Sequence, residues 1–406
     1  MKTIFIFAYY SYFDPVFQSA VLPYFTNFPQ KDQFKFVLIT FEQKKYRTTN
    51  KQRLAIKEFL FQQNIRWYNV NWHSGKFKLI KKIYDFLVAF FLSAWIIVKH
   101  RVDIIYSEAF PGAIITHFLS RLFRRPHIVH SFEPHTEYMV EGGVWKKNSW
   151  EAKLLRHFEK EIAHKAYAIM TATGAMAERL RKDGVKAKII RVPSCVDTQH
   201  FTFLPKARQE VRKMLNIPDS ECVIICIGKM GGMYWEAEIF RFFQACLLQD
   251  QRFRFLFYTP DDQNKISQYA RQYSIPENKI TSGFLKRDEV PQYLSAADFG
   301  LVPVHQYPSK RFCSPIKDGE YWACELPIVI PAGVSDDFEF VKEKCLGFVL
   351  DDTSDASFIK AAQAIIKTWQ DEVGNEEMRE RCRKFVKADR DVAVYKEVYK
   401  KIFLQV

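Results

Sequence analysis

Short runs of β-branched and aromatic residues alternate with stretches of helical spacing along the whole chain. That rhythm dictates parallel strands joined by crossover helices. In the first half the strand-like runs Thr3–Tyr10, Phe34–Thr40, Val102–Ser107, His127–Phe132, Ala168–Thr173 and Ile189–Val192 are interleaved with helical stretches such as Gln18–Asn27, Gly112–Leu122 and Gly174–Asp183. The pattern restarts at Cys222–Gly228 and continues through Phe253–Thr259, Ile280–Ser282, Phe299–Val304 and Ile328–Pro331, with helices predicted over Glu236–Gln249, Gln263–Tyr273, Val290–Ala296, Pro315–Cys324 and Ala356–Thr368. A restart of this kind predicts an α/β protein of two tandem Rossmann-like domains, and 406 residues suffice for two cores. Such domains bind ligands at the carboxyl ends of their strands, so in tandem they would face each other across a cleft.

The boundary is expected at Pro193–Asp197, dividing residues 1–195 from residues 196–388. Residues 389–406 place Val392, Tyr395, Val398, Tyr399 and Ile402 at helical spacing. This terminal helix is a candidate to complete the first domain, although its local sequence does not say which domain it packs on.

Charge divides at the same place. Residues 1–200 carry 31 basic and 16 acidic side chains, whereas the remainder is balanced to within one charge, so one half owns the net +14. Lys44–Arg101 alone holds 13 cations against Glu58 and Asp85. That density suits an anionic surface such as lipid headgroups or nucleic acid, and it also fits a solvated basic face without a partner. The longest apolar run, Phe86–Val98, is 13 residues long. A bilayer-spanning helix takes about 20, so a buried helix is expected there, with an interfacial segment as the alternative.

Eight cysteines without a CxxC pair imply a reducing compartment. Met1-Lys2 leads straight into a strand-like run with no small-residue cleavage site, so a cytoplasmic location is expected.

The most informative segment is Ser309–Val329, which follows a strand and opens a helix. Ser314 suits the N-cap and Pro315 the first helical position, which puts Lys317 third, where a capping box would have Glu or Gln. A cation there opposes the helix dipole by about 0.3–1 kcal/mol. A bound phosphate would remove the conflict, with Lys310 or Arg311 as further cations; the bland reading is a lysine snorkelling to solvent. Glu320, one turn further in, is a candidate acceptor for sugar hydroxyls. Directly after Cys222–Ile227 comes Gly228-Lys229-Met230-Gly231-Gly232, in which Gly228, Gly231 and Gly232 would let the backbone approach a diphosphate and Lys229 would add a cation. Its spacing is neither GxGxxG nor GxxxxGK[ST], which argues against a nicotinamide enzyme and an NTPase. In the first half, His130, Glu133 and His135 follow a strand. Pro134 prevents the helical presentation of a zinc site, so no metal is expected there; these groups suit binding or polarising a hydroxyl, or a structural role.

Four segments in order carry a resemblance: Val192–Phe201, Ile227-Gly228-Lys229, Ser314–Pro327 and Gly333–Asp336. They resemble motifs of the GT-B glycosyltransferases, in particular the bacterial, retaining, nucleotide-sugar-dependent family 4 type. The resemblance implies that the second domain binds the nucleotide sugar and the first the acceptor, without a cofactor or metal. Together with the residue chemistry above, it places donor contacts at Gly228, Lys229, Gly231, Gly232, Ser314, Lys317, Glu320 and Asp336, with Glu320 matching the family's ribose-contacting glutamate. The first glutamate of the family's E-x7-E pattern would fall at Phe312, which leaves sugar contacts to Lys317 and residues 331–336. Cys195 likewise stands where the family has glycine. In this reading Lys229 and Lys317 stabilise the departing diphosphate, and His130, Glu133 or His135 orients the acceptor.

The expected function is sugar transfer to a glycan or lipid-linked acceptor in bacterial surface-polysaccharide assembly. The enzyme would sit peripherally on the cytoplasmic face of an anionic membrane, held by its basic first domain, with no nucleic-acid partner. The alternative is a non-catalytic membrane- or nucleic-acid-binding protein on a degenerate GT-B scaffold.

Overall fold

The computed structural model describes residues 1–73 and 78–406. The chain divides into one unit formed by Met1–Cys195 with Val392–Val406 and a second formed by Val196–Asp391.

The first unit is built on a parallel sheet of seven strands among the described residues: β1 (Lys2–Ala8), β2 (Phe34–Glu42), β3 (Ile65–Asn71), β4 (Ile104–Glu108), β5 (His127–His130), β6 (Ala168–Thr171) and β7 (Lys188–Arg191). Their spatial order is β3-β2-β1-β4-β5-β6-β7, so the winding direction reverses between β1 and β4. Central β1 sets Ile6 against Leu38 on one side and Tyr106 on the other. Helices cover both faces of such a sheet, which is why Ile4–Ala8 is apolar without alternation and fully buried. Ile4 and Ile6 face a core with Tyr24, Phe36, Tyr399 and Phe403, while Phe5 and Phe7 face another with Ile39, Ala89 and Ile96.

The terminal helix Val392–Gln405 belongs to this unit, and its buried residues Val392, Tyr395, Tyr399, Ile402 and Phe403 follow the expected spacing. It begins three residues later than the sequence suggested. The Lys2 ammonium donates to the carbonyls of Phe403 and Leu404 at 3.0 and 3.1 Å, placing a cation at the negative end of the helix.

One expectation is overturned here. The run Phe86–Val98 is not a buried helix but part of a longer one, Lys78–His100, of which only a third of the most apolar stretch is buried. Because every face of the run is apolar, its periodicity carries no information about which face meets the core. By length and composition the helix could cross a membrane. Its inner face nonetheless packs on the sheet through Ala89, Ile96 and Ile97.

The second unit repeats the plan with β8 (Cys222–Ile227), β9 (Phe253–Tyr258), β10 (Ile280–Gly283), β11 (Phe299–Leu301), β12 (Ile328–Pro331) and β13 (Gly347–Leu350), in the order β10-β9-β8-β11-β12-β13. The reversal falls between β8 and β11. In each unit this switch point opens a crevice at the carboxyl ends of the strands, and the residues singled out above lie on the last strand residues, the turns and the first helical turns found there.

Candidate active site

In the second unit, β8 ends at Ile227 and the chain turns at Gly228, whose φ of +136° is accessible only to glycine. A Cβ built there would lie 2.5 Å from the Lys317 Nζ. The lysine ammonium therefore rests on the bare backbone of the turn. No carboxylate stands within ion-pairing distance of Lys317 among the described residues, and its other neighbour is the Tyr234 ring, 5.9 Å from Nζ to centroid. The turn itself is anchored: the Gly228 N–H donates to the Tyr258 carbonyl at 2.9 Å, the Met230 N–H to Asp261 Oδ2 at 2.6 Å, and the Trp235 N–H to the Pro303 carbonyl at 2.9 Å. Gly231 and Gly232 both have positive φ, and Lys229 points to solvent.

The helix carrying Lys317 starts one residue later than the sequence implied. It spans Ile316–Ala323 with Pro315 at the N-cap and no side-chain cap, so Ser314 is not the cap and Lys317 is the second helical residue. The physical reason is a competing donor. Arg390, wholly buried, donates to Ser314 Oγ at 2.5 Å and pairs through its other terminal nitrogen with buried Asp337. Asp318 lies buried beside this group. Burial drives its pKa well up, the negative charge of Asp337 pushes the same way, and Arg390 and Lys317 oppose them. Burial thus favours the neutral form of Asp318, which weakens its compensation of the Lys317 charge at the helix start.

Glu320, in the next turn, is 14% exposed and stands 3.7 Å from Arg287. Burial raises its pKa against the pull of Arg287 and Lys317. Asp336 is 8% exposed and faces Arg311 at 3.3 Å; Arg311 also donates to Glu339 at 2.8 Å. Arg311 thus braces the turn Pro308–Phe312 against the start of the helix Asp337–Lys344, and its charge is matched within the protein instead of added to that of Lys317. Phe312 closes that turn.

In the first unit, Glu133 and His135 come together with Tyr9, Tyr10, Ala109, Phe110 and Ser131 around a cavity of about 230 Å³ at the switch point. Ala109 and Ser131, following β4 and β5, have φ of +62° and +52°, a strained backbone that non-glycine residues seldom adopt. The His135 ring stacks on Phe110 with centroids 6.3 Å apart, and burial lowers its pKa. His130 does not line this cavity. It is buried beneath it, with Nδ1 2.8 Å from Glu108 Oε2, an oxygen that also accepts from the Tyr106 hydroxyl at 2.8 Å. No group of three potential metal ligands occurs among the described residues.

With this geometry in hand, comparison with known proteins is decisive. Residues 58–195 match the glycosyl transferase 4-like domain and residues 245–399 the glucosyltransferase 3-like C-terminal domain. The chain is a GT-B-fold glycosyltransferase. It is 23% identical over 222 residues to TuaH of Bacillus subtilis (strain 168), whose name assigns it to teichuronic acid biosynthesis as a glycosyltransferase; the match covers 54% of this chain and only about half (53%) of that protein. Among solved structures, HepE of Anabaena in complex with UDP and glucose superposes over 100% of both chains with a TM-score of 0.73 at 13% identity. Sucrose-phosphate synthase of Thermosynechococcus elongatus gives 0.71 at 15% identity, again over 100% of both chains. A glycosyltransferase of Rickettsia africae gives 0.72 at 13%, over 100% of this chain and 98% of its own.

Two site residues of this glycosyltransferase escape sequence reasoning. Arg287 sits on a 3-10 turn, Arg287–Glu289, remote in sequence from the Glu320 it faces. Glu108 is a strand-end acid whose signal was legible, since it closes β4, but its partnership with His130 depends on β4 and β5 being neighbours.

Proposed function

We propose that this glycosyltransferase moves a sugar from a nucleotide-sugar donor, held by the second unit, to a hydroxyl of a glycan or lipid-linked acceptor held by the first, in the assembly of a bacterial surface polysaccharide. The observation that carries the donor reading is the unpaired Lys317 ammonium lying on Gly228 at the carboxyl end of β8. Backbone N–H groups at a helix start, a turn without a Cβ and a cation with no ion-pair partner among the described residues together suit a diphosphate. As the nucleoside diphosphate leaves, Lys317, with Lys229 on the same turn, would offset the growing negative charge, a role for which no divalent cation or other cofactor is needed. Retention of anomeric configuration is part of this proposal.

Glu320, partly buried and facing Arg287, suits hydroxyl recognition on the donor. Glu133 and His135 suit orientation of the acceptor hydroxyl, with His130 and Glu108 supporting the loop from beneath. TuaH supports the surface-polysaccharide role, and the UDP-bound neighbours make a uridine nucleotide the first donor to test. The reading also places the enzyme peripherally on the cytoplasmic face of the membrane, consistent with the basic first half.

Thermal unfolding with UDP-, GDP- and CMP-sugars tests the donor class. A ligand at 100 times its dissociation constant adds about 2.7 kcal/mol. One nucleotide series is expected to raise the transition while the others do not. Failure of every nucleotide and nucleotide sugar to stabilise the chain would refute the proposal.

A further inference from the structure

The first unit also carries a largely apolar cavity. A groove of about 720 Å³ is walled by the helices Lys78–His100, Phe110–Phe123 and Trp150–Lys165. Its rim residues Ile83, Leu87, Phe118, Trp150 and Leu154 are 47–66% exposed, too many large apolar side chains in one place for a surface that meets only water. At its inner end the groove shares Tyr9 and His135 with the polar cavity that holds Glu133. A long apolar slot therefore leads to the pocket assigned to the acceptor hydroxyl.

The helix that forms one wall continues the apolar surface outward. Ile80, Ile83, Leu87, Phe91, Trp95 and Val98 recur every three or four residues and are 48–67% exposed, a stripe of about 27 Å along the helix. The opposite face is buried and fixed to the sheet. Asp85, the helix's lone acid, turns inward and accepts from the His73 backbone N–H at 2.8 Å. The helix could not enter a bilayer end-on without leaving its own domain. Cations stand at both ends of the stripe, Lys81 and Lys82 beside its first turn and Lys99 and Arg101 after it, with the Lys99 ammonium 4.1 Å from the Trp95 ring centroid. An apolar stripe with cationic ends and no outward acid complements an anionic membrane interface, into which such a helix lies flat.

We propose that this groove binds the hydrocarbon chain of a membrane lipid that bears the acceptor hydroxyl, with the outward stripe of the helix Lys78–His100 embedded in the interface of an anionic bilayer. The chain would lie along the groove, and its polar head would reach the cavity of Glu133 and His135. This rests on the acceptor role given to the first unit above.

The test uses the full chain and two probes, n-alkyl phosphates of six to twelve carbons and vesicles of phosphatidylcholine with or without 30% phosphatidylglycerol. Each buried methylene contributes about 0.8 kcal/mol, so alkyl phosphate affinity should rise about fourfold per carbon. Leu154→Glu should abolish that dependence. Wild-type protein should sediment with the anionic vesicles, with tryptophan fluorescence quenched by brominated acyl chains, and Leu87→Glu with Phe91→Glu should weaken this at least tenfold. UDP binding measured on the same samples shows that the variants are folded. Affinity independent of chain length, or vesicle binding unchanged in the double variant, would overturn the inference. So would a wild-type dimer that the double variant dissociates, because the stripe would then be covered by a second copy. Chain-length-dependent binding without any UDP binding would support the groove and refute the donor reading alone; UDP binding without lipid binding would do the reverse.

Discussion

Replacing Lys317 with methionine should move activity and stability in opposite directions. The substitution keeps the apolar stem over Gly228 and removes the charge. In the free protein the ammonium is the second residue of a helix, where the dipole costs about 0.3–1 kcal/mol. Its possible compensations are weak, because burial favours the neutral form of Asp318 and Glu320 faces Arg287. For a unit of this size that relief corresponds to a rise in midpoint of about 1–4 °C. With the donor bound, the same ammonium makes charge-assisted hydrogen bonds to phosphate, each about 1.5–3 kcal/mol, so kcat/KM and donor affinity should fall about 10- to 150-fold. At a UDP concentration that stabilises the wild type by about 2.7 kcal/mol, the variant should gain only about 0.3–1.3 kcal/mol. Initial rates with a nucleotide sugar, and thermal unfolding with and without UDP, read both effects from one preparation. Unchanged kcat/KM would refute the phosphate assignment. A fall in the ligand-free midpoint would refute the claim that Lys317 is unpaired and placed for function.

Three further outcomes follow from the same structure. Gly228→Ala forces an L-residue to φ +136° and sets a Cβ where the Lys317 ammonium lies, so donor affinity should fall as in the lysine variant while stability drops by about 1–3 kcal/mol instead of rising, as judged by urea midpoints. Asp337→Ala removes the buried carboxylate paired with Arg390 and should cost about 3–5 kcal/mol, whereas Asp318→Asn, replacing an acid whose neutral form burial favours with a neutral amide, should cost less than about 1 kcal/mol; equal costs would show that Asp318 is ionised. His127 is buried against Ser107 and Thr116, and burial lowers its pKa to about 3 from an ordinary 6.5. The unfolded chain takes up that proton first, so the stabilising contribution is complete above pH 6.5 and is lost as pH falls towards 3, at about 1.4 kcal/mol per unit for the one proton. His127→Gln should remove that slope in unfolding experiments from pH 7 to 5.

Much of this was legible before any coordinates. Strands buried on both faces produce uninterrupted apolar runs, as in Ile4–Ala8 of β1 and Cys222–Ile227 of β8. The terminal helix was legible from the spacing of Val392, Tyr395, Tyr399 and Ile402, because its polar face interrupts the apolar one. The helix Lys78–His100 was misread for the converse reason, its exposed stripe being as apolar as its buried face. β3 and β13 went unnoticed since their edge positions admit polar residues such as Arg66 and Asn69 in Ile65–Asn71, and Gly347 in Gly347–Leu350.

At the site the division is sharper. The sequence by itself determined which residue types follow which strand, because backbone periodicity and helix-start chemistry are local: glycines and a lysine after Ile227, a lysine in the first turn after Pro315, a glutamate and a histidine after His130. Only the tertiary structure decided how those groups are used. Arg390, 76 residues from Ser314, takes the hydroxyl that would have capped the helix. Arg311 is matched by Asp336 and Glu339, while Lys317 is left unmatched on Gly228. Charge pairing depends on distances of a few ångströms between segments far apart in the chain, and no local pattern encodes them.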